Sequence, residues 1–279
     1  MKEENSLKSV IQSFKYDSKA PASPGNGNRI RKQVQKKPPK VTDSYKDLAP
    51  SLVDDLKAIF VGFNPGIQSS LQQHHYAHFT NLFWKLFNQS DFLLKVLKSL
   101  KVDIEKEIES DELLSSVVIP GDVAGSYRTV VKAEHDFEIS KYHIGFTDLV
   151  LRCTRTAQEL TLEEKLANVP RLISEFSKTG ARYVVFVGKG IWEIVVKYYA
   201  DNLGINFKLT KSNFLWGKQI QRDDSKYNSI LSKLHQALGH PCSIYVFPST
   251  SGLVTSLNYN EKLNLWHDLG NDVINEANL

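Results

Sequence analysis

The sequence predicts an α/β fold, a three-layer sandwich with a central, mostly parallel sheet flanked by helices. Short apolar runs rich in β-branched and aromatic residues recur at 56–61, 143–150, 182–187 and 243–247, the signature of buried strands. Helix-length stretches separate them, so the strands are joined by crossovers, which makes them parallel and covers both sheet faces. Two of the runs end in turns containing Pro and Gly. In a parallel sheet such turns share the carboxyl-end edge, where α/β proteins place their sites.

The composition is that of a globular chain: 279 residues, 41% hydrophobic and 24% charged. No apolar run reaches the length of a membrane span and the start is mostly polar from Lys2 to Lys8. Neither a membrane span nor a secretory signal is expected, and the protein is expected to be soluble and intracellular. Two cysteines, Cys153 and Cys242, are too few for a disulfide framework or a zinc site. The net charge is +4, but the first fifty residues carry eleven Lys and Arg against five Asp and Glu. The basic character therefore belongs to that segment.

In chain order, residues 1–50 lack hydrophobic periodicity and contain Pro21-Ala22-Ser23-Pro24-Gly25 and a basic run from Arg29 to Lys40. They bury too little apolar surface to offset backbone entropy, so a disordered basic tail is expected, with one folded domain over 51–279. The tail suits a phosphate-contacting arm or a nuclear-localisation signal; a solvated linker is the alternative. After the strand at 56–61, Asn64-Pro65-Gly66 forces a turn. A polar, histidine-rich loop over 67–78 follows, then an amphipathic helix over 79–100 broken near Gln89-Ser90-Asp91. Residues 101–140 read as an insertion or elaborated loop. Thr161-Leu162-Glu163-Glu164 has capping-box spacing and starts a helix toward Lys178 that Pro170 kinks or divides.

The strand at 182–187 runs into Gly188-Lys189-Gly190 and a helix over 191–199. A Gly-rich helix start receives a phosphate through its free N–H groups, or merely lets strand and helix pack closely. As a dinucleotide fingerprint it is incomplete, because Glu193 stands where the third glycine belongs, and no Walker motif occurs. A polar connection with Trp216-Gly217-Lys218-Gln219, a helix over 225–238, the strand at 243–247, the turn from Pro248 to Val254 and a helix over 259–274 complete the chain.

Chemistry concentrates at the two special turns, Gly62-Phe63-Asn64-Pro65-Gly66 and Phe247-Pro248-Ser249-Thr250-Ser251-Gly252-Leu253. An uncharged Asn on a Pro-fixed turn orients a water or a polar substrate edge but takes no proton as a carboxylate would; a turn-forming Asn is the plainer reading. His74, His75 and His78 have no carboxylate or Cys partner nearby in sequence, so no metal is expected.

With His75-Tyr76, Asn81-Leu82-Phe83-Trp84-Lys85, Gly145-Phe146-Thr147-Asp148-Leu149-Val150, Gly188-Lys189 and Trp216-Gly217-Lys218-Gln219 between them, the two turns form an ordered set over most of 51–270. In this set the chain resembles the mismatch-specific thymine/uracil DNA glycosylases of the uracil-DNA glycosylase superfamily. The resemblance implies a monofunctional hydrolase that flips a uracil or thymine mispaired with guanine out of duplex DNA and cleaves its N-glycosidic bond, without a cofactor. It implies that Asn64 positions the attacking water and that Tyr76 stacks on the base, with Phe63, Ser69 and Thr147 shaping the pocket. The oxocarbenium-like sugar needs little nucleophilic push, so an orienting amide suffices, at the cost of slow turnover. No lysine in the first turn offers an amine nucleophile. Gly252, Leu253 and Val254 match the wedge that fills the vacated stack, with Ser249, Ser251, Gly188 and Lys189 as phosphate contacts. The expected partner is double-stranded DNA, bound by a monomer in the nucleus. A non-catalytic module holding mismatched or abasic DNA on the same fold is the alternative.

Overall fold

The structure, a computed structural model, describes residues 45–252 and 256–276. Its elements in chain order are β1 (Ala58–Gly62), α1 (Ile67–Gln72), α2 (Phe83–Gln89), α3 (Phe92–Ser99), α4 (Ile104–Ser110), α5 (Glu112–Val117), β2 (Val118–Pro120) and β3 (Tyr127–Thr129). They continue with β4 (Ile144–Asp148), α6 (Leu162–Thr179), β5 (Tyr183–Val187), α7 (Lys189–Asn202), β6 (Gly217–Lys218), α8 (Ser225–Leu238), β7 (Ser243–Phe247) and α9 (Tyr259–Glu276). The main sheet has the order β4-β1-β5-β7-β6, parallel throughout except for the edge strand β6.

Side chains alternate across the strands and divide the core in two. Ile59, Val61, Val184, Phe186, Ile244 and Val246 pack with α6, α7 and α8 on one face. Phe60, Phe146, Val185, Tyr245 and Phe247 pack with α2, α3, α5 and α9 on the other. Phe60 is the centre of that second layer, with the rings of Phe83, Phe87, Phe92, Phe146 and Trp266 at centroid distances of 5.0–6.4 Å. The expected three-layer α/β sandwich is what forms.

Four sequence expectations change. The loop expected over 67–78 begins with the helix α1, which is closed by Gln73 at φ of +58°. Residues 101–140 are ordered: Asp103 and Asp111 cap α4 and α5 by accepting from Lys106 and Leu114 N–H groups, and β2 and β3 form a hairpin. Pro170 does not divide α6; it lies on an exposed face, where water can serve the carbonyl that loses its N–H partner. The folded part begins before residue 51, because Leu48 is buried and Ser70 Oγ donates to Lys46 O at 2.5 Å. The basic run at 29–40 lies outside the described residues.

Candidate active site

The first turn is an extension of the β1–β4 ladder. Beyond the strand ends, Leu149, Val150 and Thr154 N–H groups donate to Gly62, Phe63 and Pro65 carbonyls at 2.9, 3.1 and 3.2 Å. This lays residues 149–154 along the underside of the turn and brings acceptors to Asn64. Its Nδ2 donates to Thr154 Oγ1 at 2.7 Å, to Arg152 O at 3.1 Å and to Pro65 O at 3.3 Å. Two of these are carbonyls, which only accept, so the amide orientation is fixed: the NH₂ end faces protein. The Thr154 hydroxyl spends its own proton on Thr156 O at 2.8 Å. No described residue donates to Asn64 Oδ1, and the residue is partly exposed. The site therefore presents one immobilised, uncharged acceptor.

Behind it lies a group that sequence reasoning did not single out. Asp148 ends β4 opposite Gly62, and its Oδ1 occupies the space where a side chain at Gly62 would start: a Cβ there would lie 2.0 Å away. The same Cβ would sit 3.4 Å from the Tyr76 hydroxyl, so a buried carboxyl and a buried phenol converge over one glycine. Burial raises the Asp148 pKa from 3.8 to about 6, with His75 and Arg171 pulling it down and Glu175 pushing it up. The Tyr76 hydroxyl has no hydrogen-bond partner among the described residues, and burial, then the nearby Asp148, raises its pKa well above 10.0.

Tyr76 is held by its neighbours rather than by its hydroxyl. Its ring stacks on Phe83 at 3.9 Å and 2°, and its backbone takes φ of +54°, a left-handed conformation that needs external support. The support is Asp136, fully buried, which accepts from His75 N at 2.7 Å and holds Nδ1 of His74 and His75 at 2.7 and 2.6 Å. On the other side Ser69 Oγ accepts from Ala77 N at 3.3 Å. The carboxylate missing from the histidines' own segment is thus supplied from more than sixty residues downstream, as a brace.

The second turn is joined to residues 80–82, in the segment that follows Tyr76. Leu82 N donates to Thr250 O at 2.9 Å, and Gly252 lies so close to Thr80 that a Cβ would fall 3.0 Å from its Oγ1. Ser249 Oγ accepts from Ser251 N at 3.3 Å, and Ser249 O accepts from Lys262 Nζ at 3.3 Å. Leu253 and Val254 lie outside the described residues.

The remaining candidates divide. Phe63 packs against the start of α7, where a Cβ at Gly190 would lie 3.3 Å from its ring, so the first turn and the Gly188–Gly190 segment do adjoin. Gly188 caps α7 with φ of +143°. Lys189 is paired with Glu193 at 3.1 Å and lies over the Phe214 ring at 5.0 Å. Thr147 is not brought to the cleft. It points to the opposite sheet face from Asp148, where its hydroxyl donates to Glu175 Oε2 at 2.8 Å. The apolar run hid this, because alternation within it does not say which parity faces the site.

Residues 50–270 match the family model of the uracil DNA glycosylase superfamily. Over 246 residues the chain is 24% identical to a Schizosaccharomyces pombe protein described as a G/U mismatch-specific uracil DNA glycosylase, covering 88% of this chain and 59% of that protein. The chain thus spans less than two thirds of that relative's length.

Proposed function

The chain belongs to the uracil DNA glycosylase superfamily, and from that premise we propose that it is a monofunctional DNA glycosylase acting on uracil, and more slowly on thymine, mispaired with guanine in duplex DNA. The observation that carries this is the Asn64 amide, whose NH₂ is tied to Arg152 O and Thr154 Oγ1 while no described residue donates to Oδ1. Such an oxygen accepts one hydrogen of a water and turns a lone pair toward the anomeric carbon. The glycosidic bond breaks toward an oxocarbenium-like sugar, the base leaves with the bonding electron pair, and the water adds, its proton passing through solvent to the departed base anion.

The flipped base is read from two sides. The Tyr76 ring, backed by Phe83, offers an aromatic face that accepts any pyrimidine. The Asp148 carboxyl and Tyr76 hydroxyl form the polar floor over Gly62. Ser69 holds the Ala77 backbone beside Tyr76 and so fixes the segment that carries the stacking ring. Choice of target follows from how readily the base unstacks and departs. The partner is double-stranded DNA, the wedge is Gly252-Leu253-Val254, and the basic run at 29–40 suits a nuclear protein.

The test is single-turnover base release from G·U, G·T and A·U duplexes and from single-stranded uracil DNA. Release is expected to be fastest from G·U, and Asn64→Ala should keep duplex binding while losing about 100-fold in rate. Absence of base release from every substrate, or equal rates for variant and wild type, overturns the proposal.

A further inference from the structure

Phe79 is 91% exposed, against 65% for Leu71 and 62% for Leu215, and no described large apolar side chain is more exposed. Isolated exposed apolar residues are ordinary; this one is distinguished by how it is held and where. Its ring is stacked by His78 at 4.7 Å and 22°. His78 Nδ1 in turn accepts from Thr80 N at 3.2 Å, with Thr80 Oγ1 2.9 Å away. Asn81 N donates back to His78 O at 2.8 Å, closing a tight turn with Phe79 at its tip.

Both ends of that turn are anchored in the site. Tyr76, three residues before Phe79, lies in the candidate base pocket. Thr80, one residue after it, touches Gly252, and Leu82 is bonded to Thr250. An aromatic ring therefore stands in solvent on the rim between the pocket and the second turn, on a turn whose backbone is hydrogen-bonded at both ends.

We propose that Phe79 is a second aromatic contact to duplex DNA, stacking on one of the two bases that flank the flipped nucleotide, with the Gly252 turn against the other. This rests on the glycosylase reading and adds to it a sequence-tolerant grip on the flanking stack, separate from the pocket and from the Gly252 turn. A nucleobase fits the observations because the ring keeps its edge and the face away from His78 in solvent. An aromatic surface accepts the face of any base.

The test uses the full chain and a duplex with a tetrahydrofuran abasic analogue opposite guanine, which cannot be cleaved, with 2-aminopurine on its 5′ or 3′ side. Wild type should change the 2-aminopurine emission on one side. Phe79→Ala should abolish that change and weaken binding roughly 5- to 100-fold, the range expected for one stacked base. Phe79→Trp should retain both. Single-turnover base release at subsaturating enzyme should fall more on G·U duplex than on single-stranded uracil DNA.

Unchanged emission and affinity in Phe79→Ala overturn this proposal while base release by wild type leaves the glycosylase reading standing. Binding and emission effects without base release from any substrate uphold the stacking contact and overturn the glycosylase reading. A chain that binds no duplex overturns both.

Discussion

Gly62 and Asp148 face each other in the β1–β4 ladder, and the side chain that one lacks is the space the other's carboxyl fills. Gly62→Ala should therefore be harmful despite the small change, because a Cβ would meet Oδ1 at 2.0 Å; a loss of about 1 to 3 kcal/mol is expected in urea unfolding. Asp148 also makes stability depend on pH. Its pKa rises from 3.8 to about 6 on folding, so the native state binds the proton more tightly. The stability linked to that proton is full below pH 3.8, is lost as pH rises through about 6 and stays lost above it. Asp148→Asn should remove this decline, raising stability relative to wild type at neutral pH by on the order of 3 kcal/mol while leaving acid stability nearly unchanged. Unfolding curves across that range check it. Asn64 was legible at this scale because its turn is written in three adjacent residues. Asp148 was not, since its importance depends on a glycine and a tyrosine far away in sequence.

Capping chemistry made several elements legible. Thr161 does cap α6, accepting from Glu164 N at 3.0 Å, but Glu164 does not reach back as a capping box would. Its carboxylate instead binds Arg152 at 2.8 and 2.9 Å, and the carbonyl of that same Arg152 receives the Asn64 amide. Thr161→Ala should cost about 1 kcal/mol, measurable by thermal unfolding, and a larger loss would mean that the cap also supports residues 149–154. The expected break near Gln89-Ser90-Asp91 separates α2 from α3, with Asp91 at φ of +55°. The elements of 101–140 escaped the sequence reading because they are short and held from outside. Asn88 binds Thr129 and Val131 through both ends of its amide at 2.8–3.0 Å, while Leu113, Leu114 and Val117 fill the second core. β6 was read as a connection for a similar reason: two residues carry no period, and pairing with β7 alone makes them a strand.

In the whole molecule, the strand order reverses about β1, which lies between β4 and β5. Ligands of open α/β sheets bind outside the carboxyl ends of the strands at such a reversal, here at the end of β1, the strand that leads into the Asn64 turn. The basic segment at the start of the chain is expected to add a second scale of interaction. Removing residues 1–40 should flatten the salt dependence of duplex binding by about 0.9 in log–log slope for each phosphate the tail neutralises, without changing single-turnover release at saturating enzyme; an unchanged slope would make the tail a linker. By itself the sequence determined the sandwich, the strands of its parallel sheet and the turn carrying Asn64, because each is encoded in local periodicity and turn chemistry, whereas Tyr76 was singled out by the family resemblance. Only the tertiary structure decided that Asp148 rather than Thr147 faces Tyr76, that Asp136 braces the histidines and that Lys189 is paired with Glu193. Those choices depend on strand parity and on partners brought together by packing, and a one-residue step along a strand reverses the face while leaving the local pattern almost the same.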